Sequence, residues 1–148
     1  MSELGWDEVE DRFGGAPNWW VSTAGPSGPH AVPVWGVTAD GALHFYGEAG
    51  AVRSRNLAAD PRLVLHLESG SDVLLLHGTA AAGAPAREHA GVVAAYRAKY
   101  THPTDLAFLP DAEGMEQALL FTVRATRALA WRLDGATEWD NRRWSASA

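Results

Sequence analysis

Three arginines, Arg53, Arg55 and Arg62, bracket the segment AVRSRNLAAD at 51–60. A guanidinium is a planar fork of donors that matches phosphate oxygens, and the leading N–H groups of a helix add positive potential. Gly47 and Gly50, just upstream, would let the backbone approach an anion closely. The segment is therefore a candidate anion site in which Arg53 and Arg55 do the holding. The same side chains could instead form a solvated helix face that pairs with Glu48, Asp60 and Glu68.

The histidines offer a second chemistry. His66 and His77 fall in adjacent expected strands, with Glu68 nearby, and His30 and His44 fall in an earlier pair. Two imidazoles and a carboxylate could bind zinc or iron. No HExxH or comparable spacing is present, so hydrogen bonding or packing is the simpler role and no metal site is assigned. His102 with Asp105 is a generic acid–base pair, and no GxSxG, P-loop or GxGxxG motif occurs. The aromatics are a third feature. Trp19, Trp20, Trp35, Phe45 and Tyr46 lie in consecutive expected strands, where they serve as core, as interface, or as a wall against a planar ring. A wall beside an arginine anchor would suit a flavin-like cofactor or single-stranded nucleic acid. No catalytic side chain can be assigned from the sequence.

Elements that could position these residues follow from periodicity. Trp6, Val9 and Phe13 recur at helical spacing in an acidic N-terminal extension (1–15), which Gly14, Gly15 and Pro17 end. Strands are expected at 19–24, 30–38 and 42–46, with turns at 25–29 and at Asp40-Gly41. Pro33 removes a backbone donor and favours an edge or bulged position. Residues 51–60 form a short helix closed by Pro61. Strands at 62–68 and 72–81 come next, and then the best helix in the chain, from Pro85 to Tyr100. Its face carries Val92, Tyr96, Lys99 and Tyr100. Residues 118–135 read as two strands turning near Ala125-Thr126 or as one long bent strand. A last short strand is expected in TEWDNRRW, with a frayed end over 140–148. The order is β-dominated with one or two helices: about six to seven mostly antiparallel strands, without the βαβ alternation of a doubly wound sheet. A closed or nearly closed barrel would remove most of its edges.

Composition sets the outer limits. The 148 residues suit one domain, spanning 1–148. A hydrophobic content of 47% excludes a disordered chain. The formal charge of -6 argues against a nucleic-acid or anionic-membrane surface. The absence of cysteine excludes disulfides and thiolate chemistry. The first residues lack the basic and apolar regions of a secretory leader, and no apolar run is long enough to span a bilayer. A cytoplasmic protein is expected.

Between about Asn18 and Ala82 the chain resembles the split-barrel flavin and deazaflavin oxidoreductases, the superfamily of pyridoxamine 5'-phosphate oxidase. It is most similar to the actinobacterial branch that uses coenzyme F420. WWVSTAGPSGPHAVPVWGV is similar to the family's first hairpin with its PHxxPVW, and DGALHFYGEAG to the second hairpin and glycine loop. AVRSRNLAADPRLVLHLESG is similar to a segment that reads roughly SRKxRNLxxxPRVxLHxESG. The resemblance implies an FMN-binding-type split barrel, assembled as a homodimer with the cofactor at the subunit interface. It implies hydride transfer between F420, or alternatively FMN, and a small organic acceptor. By position it puts Arg53 on the cofactor phosphate, Arg55 on the anionic part, and Asn56 in a capping or bracing role. Tyr46, Gly47 and Gly50 fall along the phosphate and ribityl region. Val34, Trp35 and Gly36 flank the ring, and His66 with Glu68 lies near the cofactor or the dimer interface. The chain departs from the family at Ala51-Val52, where Ser-Arg is common, and so lacks one hydroxyl and one guanidinium. An FMN-dependent enzyme, a non-enzymatic flavin, F420 or haem-like carrier, and a barrel that has lost its site are the alternatives.

Overall fold

The structure, a computed structural model, describes residues 3–133 and 139–147. Three helices and eight strands follow in the order α1 (Trp6–Gly15), β1 (Trp19–Gly25), β2 (Gly28–Val34), β3 (Gly36–Ala39), β4 (Ala42–Glu48), α2 (Val52–Ala59), β5 (Arg62–His66), β6 (Asp72–Pro85), α3 (Ala90–Lys99), β7 (Ala118–Leu133) and β8 (Trp139–Ser145). Short 3₁₀ turns at Ala86–Glu88 and Pro103–Phe108 flank α3. Residues 134–138, which include the start of the expected last strand, lie outside the described residues.

All pairings are antiparallel, in the order β2-β1-β5-β6-β7-β4-β3, with β8 added alongside β7. The two ends of that order, β2 and β3, are joined through the single residue Trp35. The sheet must therefore curl until its edges nearly meet, which makes a split barrel. This joint explains the extra strand: His30 to Thr38 reads as one apolar alternation, yet the chain changes sheet edge in its middle.

β7 is one long bent strand. Ala118–Val123 pairs with β4 and Arg127–Leu133 with β8, and the change of neighbour coincides with a bulge opposite His77 and Gly78. Such a bulge bends a strand and increases its twist. Asp40 (φ 53°) and Gly41 (φ 75°) make the tight turn between β3 and β4, both in the left-handed region that a two-residue hairpin of this kind requires.

The helix expected from Pro85 begins later. Pro85 still pairs with Leu119 at the end of β6, and His89 caps α3 by accepting the Val92 N–H. Sheet pairing outweighs the local preference of proline for a first helical turn. The last short strand expected in TEWDNRRW is present as β8, which runs to Ser145. Trp144 packs at 4.8 Å on Trp6, and Arg142 holds the Glu8 carboxylate through two 2.6 Å bonds.

The main core lies between the sheet and α1. Val9, Phe13, Trp19, Val21, Phe45, Leu65, Leu76 and Phe121 are almost wholly buried there, each contributing about 1.5–3 kcal/mol. A second cluster forms outside β3 and β4, where α3 lays Val92, Tyr96 and Tyr100 over Val37 and Leu120. No helix among the described residues is long and apolar enough to cross a membrane.

Candidate functional site

α2 has only eight residues, too short to be stable alone, and its two faces do different things. Leu57 enters the core, while Asn56 is buried and donates to the Thr23 hydroxyl at 3.0 Å. Asn56 lies so close to Gly25 that a Cβ there would sit 2.4 Å from its Oδ1. It braces α2 against β1.

Arg53, one turn before Leu57, reaches toward β4 rather than β1. It is half-buried, and its Nη2 donates to the Tyr46 carbonyl at 3.4 Å. Its Nε and the neighbouring Ser54 hydroxyl are buried without a hydrogen-bond partner. Both converge on Gly47, where a Cβ would lie 3.0 Å from Nη2, 3.3 Å from Nε and 3.3 Å from Ser54 Oγ. Burial lowers the Arg53 pKa, and the nearby Tyr46, Glu48 and Tyr96 oppose that shift. The cap residue Ala51 has no side chain to accept the leading N–H groups of α2. Unsatisfied donors, a partly desolvated cation and a glycine wall are what a bound anion would complete. A phosphate-bearing cofactor fits this donor set.

Arg55 does not join Arg53. Two helical residues separate them by about 200°, and Arg55 is exposed on the opposite face, along a groove of about 720 Å³ between α2 and the β1–β2 turn. Gly50 is exposed in the loop before α2 with open space around it. Arg62 grips Asp60 through bonds of 2.7 and 2.9 Å, and both belong to the solvated surface.

The aromatic residues make a connected assembly. Trp35 stacks on Tyr100 (4.4 Å, 8° between planes) and meets the exposed Phe108 edge-on at 6.5 Å. Tyr46 packs edge-on against Tyr96 at 5.0 Å and donates its hydroxyl to the Phe108 carbonyl. Burial raises the Tyr46 pKa to about 12, with Arg53 opposing, so its phenol keeps its proton at neutral pH. Val34 and Gly36 are buried, and their place beside Trp35 is secured by α3. Tyr96 donates to the Trp35 carbonyl at 2.8 Å and Lys99 to the Gly36 carbonyl at 2.6 Å. Ser54 and Lys99 are the residues that site assignment from sequence passes over. Their signal was helical spacing: Ser54 is three residues before the buried Leu57, and Lys99 sits on the expected inner face of α3.

His66 lies elsewhere. The pairing register sets Trp20, His66, Leu75 and Leu129 side by side on the outward sheet face, where Trp20 and His66 stack at 6.2 Å with planes 4° apart. All four are partly exposed, and Val64 and Trp131 extend the same apolar surface. Glu68 accepts a 3.3 Å bond from Asn18. His44 is buried between the Ala39 carbonyl and Thr122, so its Nε2 carries the proton, and burial lowers its pKa. Among the described residues, no three His, Asp or Glu side chains group as a metal centre needs.

A split antiparallel barrel with a short internal helix between its fourth and fifth strands is the architecture to be compared with known proteins. The chain belongs to the pyridoxamine 5'-phosphate oxidase family, whose model matches residues 6–132, and that family includes flavin-binding oxidoreductases. Its fold is similar to that of a conserved hypothetical protein from Mycobacterium tuberculosis (TM-score 0.74, 20% identity, covering 100% of this chain and 98% of that one). It is similar to an F420 reductase (0.62, 19%, covering 80% and 94%). It is similar also to a haem-binding protein from Mycobacterium smegmatis (0.61, 19%, covering 95% and 59%). None of the curated proteins matches it.

Proposed function

We propose that the protein is an oxidoreductase that transfers a hydride between coenzyme F420 and a small organic acceptor. The observation that carries this reading is the cradle at Gly47, where Arg53 Nε and Ser54 Oγ are buried without partners. Arg53 and Ser54 hold the cofactor phosphate, and the Tyr46–Gly47 backbone runs beside it. Trp35, fixed from behind by Tyr100, gives a rigid edge for the ring system. The outward face around Trp20, Leu75 and Leu129 seats a second copy, which dries the pocket between the subunits. When bound, F420 supplies or accepts the hydride at C5 of its deazaflavin ring, so the protein needs no nucleophile. Tyr46, protonated at neutral pH, acts only as a hydrogen-bond donor.

FMN shares the phosphate. The preference for F420 is supported by the resemblance of residues 51–70 to the F420-using branch and by an F420 reductase of like fold. Parallel fluorescence titrations with F420 and FMN, followed by an acceptor-dependent oxidation assay with the reduced cofactor, test the reading. Binding of F420 with turnover supports it, FMN binding more tightly transfers the activity to flavin, and binding without turnover makes the protein a carrier.

A further inference from the structure

The other face of α2 carries a site of its own. Val52, Arg55, Asn56 and Ala59 recur at i, i+3, i+4 and i+7 and form one wall of the groove of about 720 Å³, opposite the turn from Gly25 to Pro29. That volume is within the usual range of small-molecule pockets. Its walls are set before any ligand arrives. Asn56 is pinned to Thr23, Gly25 has no room for a side chain, and prolines stiffen the turn. Most of the lining is apolar, and Val52 leaves 43% of its surface exposed at the rim.

Arg55, Asp60 and His30 are the charged or titratable groups that line the groove, and His30 Nδ1 is buried without a hydrogen-bond partner. Among the described residues, the Arg55 guanidinium makes no hydrogen bond or ion pair, while its backbone N–H donates to the Ala51 carbonyl within the helix. Asp60, at the far end, is neutralised by the bidentate grip of Arg62, with bonds of 2.9 and 2.7 Å. One free guanidinium beside an apolar trough matches a monoanion with an apolar body. A lone fork suits a carboxylate, whereas a phosphate dianion would need further donors. We propose that this groove binds a small aryl or alkyl carboxylate, with Arg55 on the carboxylate and Val52 and Ala59 against the apolar body. The site is independent of the phosphate cradle, because Arg53 lies roughly 160° around the helix from Arg55 and takes no part in lining the groove.

Amide NMR on the isotope-labelled full chain tests this, with phenylbutyrate as the probe and its neutral amide as the isostere. Phenylbutyrate should give saturable shifts confined to Gly25, Gly28, Arg55 and Ala59, and the neutral amide should bind about tenfold more weakly. Arg55→Gln should abolish that discrimination with the rest of the spectrum unchanged, while Arg53→Gln should keep it. Shifts that are scattered or fail to saturate at millimolar probe overturn the proposal. So does equal binding of acid and amide, or discrimination that survives in Arg55→Gln. None of these outcomes depends on whether F420 binds.

Discussion

The Lys99 ammonium donates to the Gly36 carbonyl at 2.6 Å, directly behind the one-residue joint where the chain passes from one edge of the barrel to the other. It lies 5.4 Å from the Trp19 ring and 5.3 Å from the Tyr100 ring, and also reaches the Phe13 carbonyl at 3.4 Å. One side chain thus ties α3, α1 and the β2–β3 joint together.

That position has a pH signature. Burial lowers the Lys99 pKa from 10.5 to about 8. A base with a depressed folded pKa binds fewer protons folded than unfolded between those values, so this group makes stability rise with pH across that window. Wild-type melting temperatures should therefore slope upward between about pH 8 and 9.5, below the range where unfolded tyrosines titrate. Lys99→Met should flatten the slope. Identical slopes in the two proteins would show that Lys99 is not a buried cation.

Gly36 should tolerate no side chain. A Cβ there would lie 2.2 Å from the Trp19 ring, which is itself wholly buried. Gly36→Ala should destabilise the fold by about 3 kcal/mol or more, measured by chemical denaturation. A loss below about 1 kcal/mol would mean that the Trp19 ring can move aside.

Asn56 and Arg55 are neighbours in sequence with opposite consequences. Asn56→Ala leaves the Thr23 hydroxyl without its buried partner and should cost about 1–3 kcal/mol. Arg55→Gln, on an exposed helix face, should change stability by less than about 0.5 kcal/mol. Thermal melts of the two variants side by side check the contrast.

The proposed dimer would be assembled through the outward sheet face. Sedimentation should show a wild-type dimer at micromolar concentration. Leu129→Glu, which puts a charge in the middle of the Trp20–His66–Leu75–Leu129 row, should dissociate it with the melting temperature of the monomeric unit largely kept. A wild-type monomer would remove this face as the cofactor's second wall.

The barrel was legible because its punctuation is local. Asp40-Gly41 and the Gly-Pro turn at 25–29 set two hairpins, and Pro33 marked β2 as an edge. What closes the barrel was not legible. The split at Trp35 interrupts a continuous apolar alternation, and Pro85 is claimed by pairing with Leu119. At the candidate site, the structure places Arg53 beside Tyr46 and Gly47, and the anion anchor there is what we propose for it. The separation of Arg53 from Arg55 follows from helical rotation, and the position of His66 on the outward face depends on strand register, which side-chain spacing alone does not determine. Lys99 was visible as a polar interruption of an apolar helix face, but its role required knowing that Gly36 is a joint.

Isothermal titration of wild type, Arg53→Ala and Arg62→Ala with F420 tests most directly the proposed hold of Arg53 on a cofactor phosphate. Wild type should bind F420 more tightly than FMN. Arg53→Ala should lose affinity by about thirtyfold, the worth of one charge-assisted hydrogen bond at a partly buried site, and its binding should be less sensitive to salt. Arg62→Ala, which removes only the exposed partner of Asp60, should bind like wild type. F420 affinity unchanged in Arg53→Ala, or no F420 binding by wild type, would contradict the account.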